Sequence, residues 1–168
     1  MPARAAGLGL IACLALGACG GDSQSRATSA HAAADADLTW TRALAQAPFV
    51  GRDGAGALEF VDPADGIDKA WLLGGWNSAD RTHFTSTGAP GCCTTNEVWK
   101  SSDGINWQLA KPNTPDGWES RHMAGWVVFA GRMWVIGGDD NSGHYQTDIW
   151  NSADGVHWTQ VAASVPWA

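Results

Sequence analysis

The chain has 168 residues, with 21 glycines and 11 tryptophans against three methionines and one tyrosine. This is neither the composition of a helical bundle nor that of a disordered chain, and it predicts many short strands joined by tight turns. The net charge of -7, with the basic residues scattered singly, repels phosphate backbones and anionic head groups, so no nucleic-acid partner and no polybasic membrane patch is expected.

The first segment reads as an address. Arg4 and the free amine precede an uncharged, mostly apolar stretch from Ala5 to Ala18, too short to span a bilayer, which needs roughly 20 residues. Residues 1–18 therefore read as a signal peptide. Leu16-Gly17-Ala18-Cys19 resembles the lipobox of bacterial lipoproteins, which implies cleavage before Cys19 and acylation of that cysteine. An ordinary signal peptide with an incidental cysteine is the alternative. Gly20, standing where aspartate would signal inner-membrane retention, implies an outer-membrane anchor. Residues 19–37 are mainly Gly, Ser, Ala and Asp, too poor in large apolar side chains to offset chain entropy, and read as a flexible tether.

The remainder, 38–168, contains an internal repeat. Arg52-Asp-Gly-Ala-Gly-Ala-Leu-Glu-Phe60 aligns with Arg121-His-Met-Ala-Gly-Trp-Val-Val-Phe129 at an offset of 69. Ala70-Trp-Leu-Leu-Gly-Gly75 aligns with Met133-Trp-Val-Ile-Gly-Gly138 at 63, and Glu97-Val-Trp99 through Trp107 aligns with Asp148-Ile-Trp150 through Trp158 at 51. The shrinking offset places insertions between blocks of constant length, as expected of surface loops between packed strands. Each copy predicts four antiparallel strands, a to d. Trp126–Phe129 and Trp134–Ile136 read as strands buried on both faces. Asp103-Gly104 and Asp154-Gly155 read as tight hairpin turns with positive φ at both residues.

These blocks, an Arg-x-x-Ala-Gly start, an aromatic before a Gly-Gly doublet and tryptophans on the third and fourth strands, resemble the kelch repeat. The resemblance implies an all-β fold of kelch-type β-propeller blades: blade one over 52–110, blade two over 121–163 and an orphan N-terminal strand over 38–46. Propellers close with roughly 4 to 8 blades, so the ring is incomplete, and the chain reads as a fragment of a larger propeller or as a homo-oligomer that completes one.

In such blades the d-to-a and b-to-c connections share one face, where binding usually occurs. That face would carry Trp118, the long loop from Trp76 to Asn96 with His83, Cys92 and Cys93, and the loop with Asp139, Asp140, His144 and Tyr145. Trp76 has no repeat counterpart and reads as a ligand contact. Trp118 recurs in register as Phe49 and Trp167, which favours packing over contact. Arg52 and Arg121 start the innermost strands, where they could meet a ligand carboxylate, but their recurrence favours a structural role. Trp71, Trp99, Trp107, Trp134, Trp150 and Trp158 read as blade core. Adjacent Cys92 and Cys93 in an exported chain read as a vicinal disulfide, with no histidine at zinc-like spacing. Asp62, Asp65 and Asp68 do not match a calcium loop and read as a solvated acidic turn.

No cofactor and no metal are expected. The function that follows is a binding module for a protein or glycan partner. The alternative, resting on the resemblance, is a sugar-active propeller enzyme similar to N-acetylneuraminate epimerase or galactose oxidase. The copper chemistry of the latter group implies tyrosine, cysteine and histidine around the metal, a constellation not visible around the single Tyr145, and no a strand offers an evident acid or base for the former.

Overall fold

The computed structural model describes residues 39–79, 93–141 and 143–167. Eight strands lie among the described residues of the unit Trp40–Ala168. They form two four-stranded antiparallel sheets, each with its strands side by side in chain order. The first contains β1 (Gly56–Asp62), β2 (Ile67–Leu73), β3 (Val98–Ser101) and β4 (Gln108–Lys111). The second contains β5 (Gly125–Phe129), β6 (Arg132–Asp139), β7 (Tyr145–Ser152) and β8 (Thr159–Ala162). There is no helix among the described residues, and so none long and apolar enough to cross a membrane.

The repeat predicts the register. Leu58 pairs with Trp71 in β1 and β2, and Val127 pairs with Trp134 in β5 and β6. Leu72 and Val135 pair with Trp99 and Trp150, and in both sheets the third and fourth strands slip by one residue at that tryptophan. Because side chains alternate across a strand, this register divides each sheet into two faces. The face of the first sheet with Leu58, Phe60, Trp71, Leu73 and Val98 packs against the second sheet, whose Met133 and Val135, with Trp118 from the connection between the sheets, complete one apolar cluster.

Four expectations change. Residues 40–50 contain no strand, so the orphan strand over 38–46 does not form among them. A lone fourth strand needs a third strand to bond, and both third strands already carry their own β4 and β8. The Asp-Gly connections are not two-residue turns. Only the glycines, Gly104 and Gly155, take positive φ, and side chains shape the rest: Ser101 Oγ accepts from the N–H groups of Asp103 and Gly104, and Asp103 Oδ1 accepts from those of Ile105 and Asn106. Ser152 and Asp154 repeat the arrangement. The run Trp126–Phe129 is not buried on both faces, since Phe129 is 66% exposed. Likewise Trp99, Trp107 and Trp134, on the outward faces of the two sheets, are only half-buried, and so are Trp150 and Trp158, which pack against the core from its margin. Trp71 is the repeated tryptophan that the core encloses completely.

Candidate functional site

The start of each first strand is built around an arginine. Arg52 donates through Nε to Val50 O (3.1 Å), through one terminal nitrogen to Gly74 O (3.2 Å) and through the other to Glu97 Oε2 (2.8 Å). Arg121 does the same in the second copy, donating to Glu119 O (2.8 Å), Gly137 O (2.9 Å) and both carboxylate oxygens of Asp148 (2.5 and 3.2 Å). Each acid also accepts the indole N–H of the tryptophan two residues on, Trp99 or Trp150. The Gly-Gly doublets make room for this latch: a Cβ on Gly75 would lie 2.8 Å from the Arg52 side chain, and one on Gly138 would lie 3.0 Å from that of Arg121. Burial works to raise the Asp148 carboxyl, but the Arg121 fork and the Trp150 indole override it and hold the group below the usual carboxylate range. Both guanidiniums are thus spent inside their own sheets and are not available to a ligand carboxylate.

Trp118 is likewise out of reach of a ligand. It is completely buried, packed edge-on against Trp126 and Trp158 with ring centroids 5.6 and 5.8 Å away. Around it, Asn96 donates to the carbonyls of Thr114 and Trp118, while Asn113 Oδ1 accepts from Asn96 N–H and Ser120 Oγ. This network ties the segment entering β3 to the connection leading into the second sheet.

The residues that remain gather at the same end, where the first strands begin and the second-to-third connections leave. Trp76 and Asp53 exchange both backbone hydrogen bonds (2.9 and 3.0 Å), and His122 and Asp139 do so in the second copy (2.9 and 3.0 Å). Met123 N–H donates to Gly54 O (2.9 Å) and Gly75 N–H to Arg121 O (3.0 Å), straps that bring the two pairs together. The His122 imidazole consequently sits between two carboxylates, its Nδ1 3.6 Å from Asp53 Oδ1 and its Nε2 3.7 Å from Asp139 Oδ2. Both separations exceed hydrogen-bond length. Both ring nitrogens of His122 and the Trp76 Nε1 are buried without a hydrogen-bond partner, and the Trp76 and His122 rings lie 6.1 Å apart, tilted by 31°. Buried polar groups are nearly always satisfied, so three orphaned ring nitrogens in one place point to a missing partner. Asp140 and His144 extend this end, with 3.6 Å between His144 Nδ1 and Asp140 Oδ2, and the neighbouring Tyr145 is 72% exposed.

Of the expected contact residues, Trp76, Asp140 and His144 belong to the second-to-third connections at this end, and Asp139 and Tyr145 pair at the ends of the strands that flank one of them. His83, Cys92 and Cys19 lie outside the described residues. Cys93 is disulfide-bonded, with Cys92, its expected partner, outside the described residues. Asp53 and His122 are not among the sequence candidates, although one signal was available: they follow the two latch arginines at equivalent positions and differ between copies. In the acidic turn, Lys69 reaches both Asp62 (2.7 Å) and Asp65 (2.6 Å), and Lys100 reaches Asp62 (2.6 Å), so Asp62 is buried and ion-paired rather than solvated, while Asp65 and Asp68 are exposed. No group of three or more His, Cys, Asp or Glu is placed to hold a metal among the described residues.

No protein-family model matches the chain, and no curated protein matches it.

Proposed function

We propose that this protein is an exported binding module of the kelch-propeller kind, its two sheets acting as blades and its Asp53–Trp76–His122–Asp139 end taking a glycan or protein partner. The lipobox-like segment ending at Cys19 would anchor it in the outer membrane. The observation that carries the reading is the cluster of three buried ring nitrogens, on Trp76 and His122, without hydrogen-bond partners and with two carboxylates beside them. An indole face with polar groups on either side suits a sugar ring, which stacks through its C–H face and exchanges hydrogen bonds through its hydroxyls. The latch arginines in both copies support the blade reading, since repeated structural roles are what blades share.

Glycan-array screening followed by calorimetry tests this. A hit whose affinity falls at least tenfold in both Trp76→Ala and His122→Ala, with the folds intact, supports the site. Affinity unchanged in both variants would remove it. Sugar isomerisation is the second reading, favoured by the imidazole flanked by carboxylates, an acid–base arrangement. Turnover of an array hit that is abolished in His122→Asn would favour the enzyme over the binder.

A further inference from the structure

Among the described residues the two sheets meet at one seam, and each half of that seam is built a second time on an exposed surface. Trp71 is the knob of the covered seam. Its indole N–H donates to Phe60 O (2.9 Å), its ring stands 6.3 Å from that of Phe60, and it presses on Gly155 in the turn between β7 and β8, where an added Cβ would lie 2.4 Å from the indole. On the outward face of the second sheet, Trp134 donates to Phe129 O (2.8 Å) with ring centroids 6.2 Å apart. This is the same knob, in the same repeat positions, and Phe129 is 66% exposed.

The socket is duplicated as well. Gly104 is the counterpart of Gly155, with φ +72° against +74°, yet nothing lies within 4 Å of its Cβ position. Phe49, the counterpart of Trp118, packs edge-on to Trp107 at 5.3 Å as Trp118 does to Trp158 at 5.8 Å. Ala57 stands where the second sheet has Trp126, and the smaller side chain leaves an open groove of about 430 Å³ bordered by Ala70, Leu72 and Trp107. Charge follows the same correspondence. Across the covered seam Phe60 shares a cleft with Val128 and Gly131, whose counterparts are Glu59 and Asp68. A repeated seam therefore brings Phe129, and Arg132 paired opposite it, to two carboxylates.

We infer that the outward face of the second sheet docks on the outward face of the first sheet of a second copy of this chain, repeating the internal seam head to tail. The contact is heterologous, so it propagates until the rotation closes. Rings of roughly 4 to 8 sheets correspond to about two to four copies. The inference rests on the blade reading of the sheets and is independent of any ligand at the His122 end.

Sedimentation of the purified protein at tens of micromolar tests it. The wild type is expected at about two to four times the mass of one chain. Phe129→Glu blocks the knob face and Ala57→Glu blocks the socket face. Both positions are exposed, so the folds should survive, which tryptophan fluorescence and circular dichroism verify. Each variant alone is expected as a monomer, whereas an equimolar mixture, retaining one intact knob and one intact socket, is expected to form a dimer and nothing larger. A monomeric wild type, a variant of unchanged mass or a mixture that stays monomeric would each overturn the inference. Glycan affinity retained in monomeric Phe129→Glu separates assembly from ligand binding.

Discussion

Replacing Arg121 by methionine keeps most of the side-chain volume and removes the fork. Arg121 is completely buried, and its loss strands the carbonyls of Glu119 and Gly137 together with the Asp148 carboxylate, whose side chain is only 16% exposed. Breaking a buried pair from one side costs about 3–5 kcal/mol, because the remaining charge is left without compensation. For a domain of this size that corresponds to a fall in Tm of roughly 10–20 °C. Urea and thermal unfolding followed by tryptophan fluorescence would measure it. The equivalent Arg52→Met change should cost less, since Arg52 makes one bond to its acid, at 2.8 Å, rather than two. The acid limb offers a second readout. The folded Asp148 carboxyl lies below its ordinary value, so its contribution is complete above that ordinary value and is lost as pH falls through the folded one. Arg121→Met should flatten this dependence. A loss below about 1 kcal/mol, no more than a single ordinary hydrogen bond is worth, would refute the latch, as would an acid limb unchanged from wild type.

Three further outcomes follow from the same contacts. Gly155→Ala should destabilise by more than Gly104→Ala: both force an alanine into positive φ, at about 1–2 kcal/mol, but only at Gly155 does the new methyl strike Trp71, and equal losses in chemical denaturation would argue against the seam geometry. Lys111 is buried, donating to Pro112 O and Thr114 Oγ1 (3.2 and 3.3 Å), and burial pushes its ammonium down to about 8. The unfolded chain then holds that proton more tightly, so this group makes stability rise between about pH 8 and its ordinary 10.5; Lys111→Gln should remove that rise in urea unfolding across the window. Burial opposes ionisation of Asp62, yet hydrogen bonds from Lys100, Lys69 and the Ala64 N–H hold it at about 2, so its contribution is present above 3.8, is lost as pH falls towards 2, and should vanish from acid titrations of Asp62→Asn.

The strand order and register were legible because the repeat places Trp71 and Trp134, Gly75 and Gly138, and Trp99 and Trp150 at fixed distances from their blocks. What the pattern did not convey was which faces are covered. Val127 and Phe129 have the side chains of a buried strand, but their burial depends on whether another sheet lies beyond them, and that is a property of the neighbour rather than of the strand. The Asp-Gly turns failed for a different reason. Ser101 and Asp103, and Ser152 with Asp154, satisfy the local backbone N–H groups themselves, so the turn extends to Trp107 or Trp158 instead of closing in two residues.

The same repeat separates scaffold from proposed site. Where both copies carry the same chemistry, as with Arg52 and Arg121 or the acids Glu97 and Asp148, the side chain is consumed within its own sheet, the arginine also bonding the carbonyl of Gly74 or Gly137. Where they differ at one position, as with Asp53 against His122 and Trp76 against Asp139, the residues meet at one end and leave polar ring atoms unsatisfied. Scaffold chemistry must be repeated in every unit because each sheet has to close its own latch. The proposed site occurs once per pair of sheets, so its residues need not recur between the two, and divergence inside a repeated frame marks it. Trp118 and Trp76 show the distinction: the first recurs as an aromatic and is core, while the second is replaced by Asp139 at the equivalent position of the other copy and lies beside His122.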